Sequence, residues 1–231
     1  PAVMAVITIA GETGCRYEEV ARLVAQSLSF ELVTETRLQS LLAREFGAQT
    51  QVSDAATRPA LLSILARLAT ESHLVVCAAG VEHLFKNFLG VLRVQIVAPE
   101  NRRIGLIMLD HRLDRPAAKR FLRQTEAARR SERRHKFGRA TAPPELFDMV
   151  LNAELLEAEQ MAELVRAASA VRNLPEQGLL SAAADAQLQF QARLQLSKHG
   201  IVPAGAATLK RNRFSHPSEE IFANLLDFYR I

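Results

Sequence analysis

Residues 3–21 read Val3-Met4-Ala5-Val6-Ile7-Thr8-Ile9-Ala10-Gly11-Glu12-Thr13-Gly14-Cys15-Arg16-Tyr17-Glu18-Glu19-Val20-Ala21. The apolar run Val3–Ile9 predicts a buried first strand. Gly11 and Gly14 predict a turn that uses glycine conformations, and a helix follows from about Glu18. Strand, glycine turn and helix in that order form the layout of a phosphate-binding loop, in which backbone N–H groups and the positive end of the helix meet an anion. Such a loop reads G-x-x-G-x-G-K-[ST]. Laid from Gly11, the pattern places Arg16 at the third glycine, Tyr17 at the lysine and Glu18 at the hydroxyl. The framework matches, while the phosphate and magnesium ligands are exchanged.

Strands and helices alternate outward from this stretch. The first helix, Glu18–Ser29, is expected to bury Val20, Leu23, Val24 and Leu28. A short strand follows at Phe30–Thr34, then a helix from an N-cap at Thr36 to Phe46, stopped by Gly47. A third helix spans about Arg58–Glu71. Leu74–Cys77 reads as a buried strand, with an Ala78-Ala79-Gly80 turn and a helical segment to Phe88. Leu92–Val97 is the next strand, stopped by Pro99. Helices over Arg102–Leu109 and Pro116–Phe137, a strand over Leu146–Leu151 and a helix over Leu155–Val171 complete the series. Buried strands alternating with helices predict an α/β domain over residues 1–172, a parallel sheet with helices on both faces. Residues 173–231 read as a helical extension: a helix over Gly178–His199, a linker over 200–213 and a helix over Pro217–Tyr229, expected to open a further domain of a longer protein.

The 231 residues, 48% of them apolar, are enough for a core of ordinary size. No apolar run is long enough for a bilayer and no signal-peptide pattern opens the chain, so a membrane role is not expected. Two cysteines do not make a disulfide framework, and the cytoplasm is the expected compartment. The net charge of +4 conceals an asymmetry, because residues 102–139 hold thirteen Lys/Arg against four Asp/Glu. A block of this kind is either a solvated helix face or a surface for phosphates. Its only aromatic residues are Phe121 and Phe137, which disfavours the reading of single-stranded nucleic acid by stacking. No His/Asp cluster has metal-ligand spacing, and no G-x-S-x-G element occurs.

These motifs, taken in order over residues 3–170, resemble the cytidylate-kinase-like proteins, relatives of nucleoside monophosphate kinases. Thr13-Gly14-Cys15-Arg16-Tyr17-Glu18-Glu19-Val20-Ala21 stands for the family's loop and first helix, and Ala78-Ala79-Gly80 for its Gly-Arg-Gly turn. Val94–Pro99 corresponds to a strand ending Ala-Pro, with Arg102 or Arg103 as the arginine that follows. Thr125-Glu126-Ala127-Ala128-Arg129 and Arg133-Arg134-His135-Lys136-Phe137 correspond to the basic lid helix. Phe147-Asp148-Met149-Val150-Leu151-Asn152 corresponds to the last strand.

The resemblance implies a P-loop-kinase-like fold, with ATP and magnesium as possible cofactors and a nucleotide or other phosphate as ligand. Gly11, Thr13, Gly14, Cys15, Arg16 and Tyr17 are the expected cofactor-binding residues, and Arg129, Arg133 and Arg134 the catalytic ones. Phosphoryl transfer is mostly positioning and charge neutralisation. Here Tyr17 brings no charge, Glu18 brings a repelling one, and Ala79 replaces the acceptor-side arginine.

Three readings follow. The first is a degenerate kinase-like module with a regulatory or assembly role. The second is an active phosphotransferase that uses Arg16 and the lid arginines, and the third a basic scaffold associated with nucleic acid. Two lesser alternatives concern single elements. Cys15 is either an activated thiol at a helix N-terminus or a small passive residue. The stripe over 179–196 is either internal packing or a homodimer surface.

Overall fold

A computed structural model describes residues 4–46, 54–85, 88, 90–177, 182–199, 201 and 222. The expected Gly47 stop, the linker and the last helix fall outside these residues, apart from Ile201 and Phe222. Five strands form one parallel sheet in the order β2-β3-β1-β4-β5. They are β1 (Val6–Gly11), β2 (Glu31–Thr34), β3 (Leu74–Cys77), β4 (Val91–Val97) and β5 (Met149–Asn152). β1 lies in the middle, with Val6 in register with Leu74 on one side and Val91 on the other. That position explains its unbroken apolar run, since both faces and both edges of the strand are covered.

One face of the sheet packs under α1 (Tyr17–Leu28) and α6 (Ala158–Val171). Ile7, Ile9, Val75, Leu92, Val94 and Ile96 join Val20, Val24 and Val165 there in one core cluster. The opposite face packs under α3 (Asp54–Glu71) and the end of α8 (Ala182–Lys198), where Ile64, Leu65 and Leu196 meet Val6, Val76 and Val91. Alternation of side chains along each strand produces this division. α2 (Glu35–Phe46) follows β2 directly, and a single turn, α7 (Leu174–Gln177), precedes α8. Beyond the sheet, α4 (Glu100–His111) packs on the 23-residue α5 (Arg115–Phe137) through Ile104, Ile107, Ala118 and Leu122. Asp114 caps α5 by accepting from the Ala117 N–H at 2.8 Å, and Gly138 ends it. Among the described residues no helix is long and apolar enough to cross a membrane.

Several expected boundaries move. The cap of α2 is Thr34, whose Oγ1 accepts from the Arg37 N–H at 3.3 Å, because the helix starts at Glu35 and leaves Thr36 inside its first turn. The segment after Gly80 is a 3-10 turn, Val81–His83, in place of a helix reaching Phe88. Leu146 closes another 3-10 turn, so β5 starts only at Met149. Asp148, immediately before it, is spent structurally: its carboxylate accepts from Arg93 Nε at 3.1 Å and Nη2 at 3.0 Å.

α8 lies along α3, and Leu196 is 0% exposed. Leu196→Ala is therefore expected to lower unfolding free energy by about 2–5 kcal/mol in urea titrations. A loss below about 1 kcal/mol would show that α8 adds little to the folded core.

Candidate functional site

The loop between β1 and α1 is a closed turn. The Glu12 N–H donates to the Ile96 carbonyl at 3.1 Å and the Cys15 N–H to the Glu12 carbonyl at 3.2 Å. Two of the loop donors are thus used internally. Gly14 has φ +84°, and a Cβ there would stand 2.9 Å from the Arg103 carbonyl. Arg16 takes the left-handed conformation, φ 54°, so that α1 begins at Tyr17. Its guanidinium reaches sideways to Asp110 on α4, Nη2 to Oδ1 at 2.5 Å, and both side chains are well exposed. That carboxylate raises the Arg16 pKa further.

Tyr17 turns back over the end of β1. A Cβ placed on Gly11 would stand 2.5 Å from the Tyr17 Cβ, so only glycine admits the ring at this point. Tyr17 is 6% exposed. Arg129 on α5 completes the packing: Nη1 donates to the Gly11 carbonyl at 3.3 Å and Nη2 to the Tyr17 hydroxyl. The guanidinium carbon lies 5.1 Å from the ring centroid, within cation–π range. Burial and the nearby Arg133 lower the Arg129 pKa below the usual arginine range.

Of the other expected lid residues, Arg133 lies 3.3 Å from Glu82 Oε1, while Arg134 is exposed and has no ion pair among the described residues. Glu82 is 0% exposed and neither of its oxygens accepts a hydrogen bond among the described residues. Burial raises its pKa, and the Arg133 charge opposes that rise. Thr13 is buried, and its carbonyl accepts from Arg103 Nη1 at 3.5 Å. The structure thus brings Gly11, Tyr17 and Arg129 together, leaves Arg133 on a separate partner and leaves Arg134 outside.

Motif reading names Arg103, as one of two candidates for the arginine after Ala-Pro, and Glu126 beside Thr125 without a role for either, and it gives no part to Glu12 and Glu82. Arg103, 8% exposed, donates to the Ala98 carbonyl at 3.0 Å and to Glu126, and stands 3.5 Å from Glu12. It ties the loop, the end of β4 and α5 into one network. Glu126 occupies the motif position next to Thr125, a signal the sequence contains. Glu82 has no local signal, because only the fold brings it under Arg133.

Beside Tyr17 a cleft of about 360 Å³ opens between the ends of β2 and β3 and the flank of α5. Glu18, Glu35 and Glu132 stand on its walls with Arg129 as the cation. Lys136 approaches Glu132 at 2.6 Å and Glu35 at 3.3 Å.

The sheet order and helix placement define an α/β protein of the P-loop-kinase-like class. Residues 50–155 match the sequence pattern of the Cytidylate kinase-like family, and the resemblance read from the motifs holds. The matched stretch starts beyond the glycine loop. Among solved structures, an uncharacterized protein from Eubacterium ventriosum superposes with a TM-score of 0.62 at 10% identity, covering 73% of this chain and 99% of its own. A shikimate kinase from Acinetobacter baumannii, in complex with shikimate, aligns at 15% identity with a TM-score of 0.46, over 74% and 96% of the two chains. An unliganded sugar kinase from Janibacter gives 17% and 0.46, over 77% and 99%. No curated protein matches.

Two thiols border the site, and both are pushed up from an ordinary 9.0 to about 12, chiefly by burial, with carboxylate charges adding. Cys15 is 1% exposed and donates its S–H to the Glu12 carbonyl at 2.9 Å, so the passive reading holds. Below pH 9 both thiols are neutral in the folded and unfolded chain, and their contribution is complete. Above it the unfolded chain ionises first, and stability falls until the folded thiols ionise near 12. Wild type is expected to lose about 1–3 kcal/mol more per pH unit above pH 9 than Cys15→Ala/Cys77→Ala, in urea midpoints measured across pH 8–11. Parallel profiles would refute it.

Proposed function

We propose that this chain is a non-catalytic, kinase-fold module with a regulatory or assembly role, in which side chains of the protein itself take the place of the phosphates. The observation that carries this reading is the seat of Tyr17: its ring fills the space above Gly11 and its hydroxyl engages the lid arginine Arg129. A triphosphate would have to displace both.

Electrostatics support the same reading. Arg16 is committed to Asp110, Arg103 to Glu126 and Glu12, and Arg133 to the buried Glu82. The three carboxylates around the neighbouring cleft repel a polyanion in a partly desolvated place. Magnesium fares no better, since the loop offers no hydroxyl at Glu18 and no adjacent phosphate oxygens would be held. ATP with magnesium therefore does not fit the residues present. The reading that Arg16 replaces the missing lysine is not favoured, because its guanidinium faces α4.

Calorimetric titration with ATP, with and without magnesium, is expected to give no binding heat, and a coupled assay with ATP and CMP no nucleoside diphosphate above background. Phosphoryl transfer that Arg129→Ala abolishes would overturn the proposal. Tyr17→Gly, which empties the space above Gly11, should not restore transfer, because Arg103 and Arg133 remain tied to carboxylates.

A further inference from the structure

The cations of α5 divide between two sides of the helix. On the inner side Arg129 reaches the loop, Arg133 lies beside Glu82, and Lys136 stands between Glu35 and Glu132. On the outer side Arg120, Arg123, Arg130 and Arg134 are all exposed. Ala127 falls between the two pairs at helical spacing, so a period of 3.6 aligns the four arginines in one stripe. Arg120, Arg123 and Arg134 have no ion pair among the described residues. Arg130 lies 3.9 Å from Glu126, a carboxylate already engaged by the buried Arg103. Guanidiniums three and four residues apart on one helix repel each other. Among the described residues only the shared Glu126 relieves that repulsion, so the stripe favours an external anion.

The spacing selects a polymeric anion. At 1.5 Å per residue the stripe is about 21 Å long, and a single phosphate group meets at most two neighbouring guanidiniums. B-form DNA presents about twelve phosphate charges over the same length. Base stacking has no platform here, because the two rings of α5 are engaged elsewhere. Phe121 meets His111 with centroids 4.6 Å apart, and Phe137 stacks on His83 at 5.9 Å. Ala118 and Leu122 are buried against α4, so α5 has no apolar face to lay into a lipid surface. Protein interfaces are anchored by aromatic or large aliphatic side chains, and the stripe offers only Ala127. A helix fits the major groove of B-DNA, about 12 Å wide, whereas that of duplex RNA is too narrow to admit it.

We propose that the outer face of α5 binds double-stranded DNA through its phosphates, with Arg120, Arg123, Arg130 and Arg134 as the contacts and no reading of base sequence. The proposal goes beyond the reading of the glycine loop and stands apart from it, because it uses none of the side chains that close that loop.

The test is fluorescence anisotropy of a labelled DNA duplex of about 20 base pairs, titrated with the full chain between about 50 and 200 mM NaCl. Affinity is expected to fall about a hundredfold over that range, because four phosphate contacts give log K a slope of about −3.6 against log salt. A duplex of scrambled sequence should bind equally well. Arg120→Gln/Arg123→Gln/Arg130→Gln/Arg134→Gln should melt as wild type does, bind at least about tenfold more weakly at the lowest salt and lose most of the salt dependence. Arg22→Gln/Arg37→Gln/Arg44→Gln/Arg166→Gln, which removes the same charge from exposed positions on other helices, should bind as wild type does. No binding up to about 100 µM protein at the lowest salt, salt-independent binding, or equal losses in the two variants would each overturn the proposal. Tighter binding of a single-stranded or duplex RNA probe would overturn the assignment to duplex DNA. Retention by phosphatidylserine vesicles without duplex binding would overturn it in favour of a lipid surface.

Discussion

The architecture around the site depends on one contact, the Tyr17 ring against the bare backbone of Gly11 with Arg129 across its hydroxyl. It brings the long basic helix onto the central strand and the first helix, which already share one core. Only Ala118 and Leu122 of α5 are buried, both near its N-terminal end against α4. Its position over the sheet is therefore set by polar anchors: Arg129 on the loop, Glu126 on Arg103, and Arg133 on Glu82. Each anchor joins a side chain on α5 to a group on the sheet side, so the helix behaves as a clamp held by charge.

Removal of charge from water carries a penalty that only close partners offset. The arginines nearest the loop all follow this rule. Arg103 is almost wholly buried and meets two carboxylates and two carbonyl oxygens, while Glu82 is wholly buried and has a guanidinium as its counter-charge. Such pairs do little for net stability against apolar replacements, but they specify geometry strictly, because breaking one leaves a charge stranded. Arg58 and Arg139, on the opposite face, are exposed and bear no such obligation.

Much of the fold was legible in order and type. The buried strands, the glycine turn, the capped basic helix and the alternation of elements all carry local signals of period, punctuation and capping. The errors fell where two local signals compete. Thr34 and Thr36 both suit an N-cap, and the end of β2 decides between them. Leu146 and Phe147 continue an apolar pattern, yet Pro143 and Pro144 wind that approach into a 3-10 turn. The candidate site was half legible. Gly11, Tyr17, Arg129 and one of the pair Arg102 and Arg103 stand at positions a motif picks out, whereas Glu82 and Glu12 carry no spacing that links them to Arg133 or Arg103.

By itself the sequence determined which segments could be strands or helices and where the glycine turn falls, because hydrophobic period, glycine and side-chain type are properties of neighbouring residues. Only the tertiary structure decided what those residues touch. Tyr17 could have faced solvent and Arg129 a ligand; burial of the ring over Gly11 follows from α5 crossing the loop, a distance of 112 residues along the chain. A cation-lined cavity on the other face arises in the same way. Arg58, Arg93 and Arg139 line one cavity only because parallel pairing and helix packing fold their segments onto one surface.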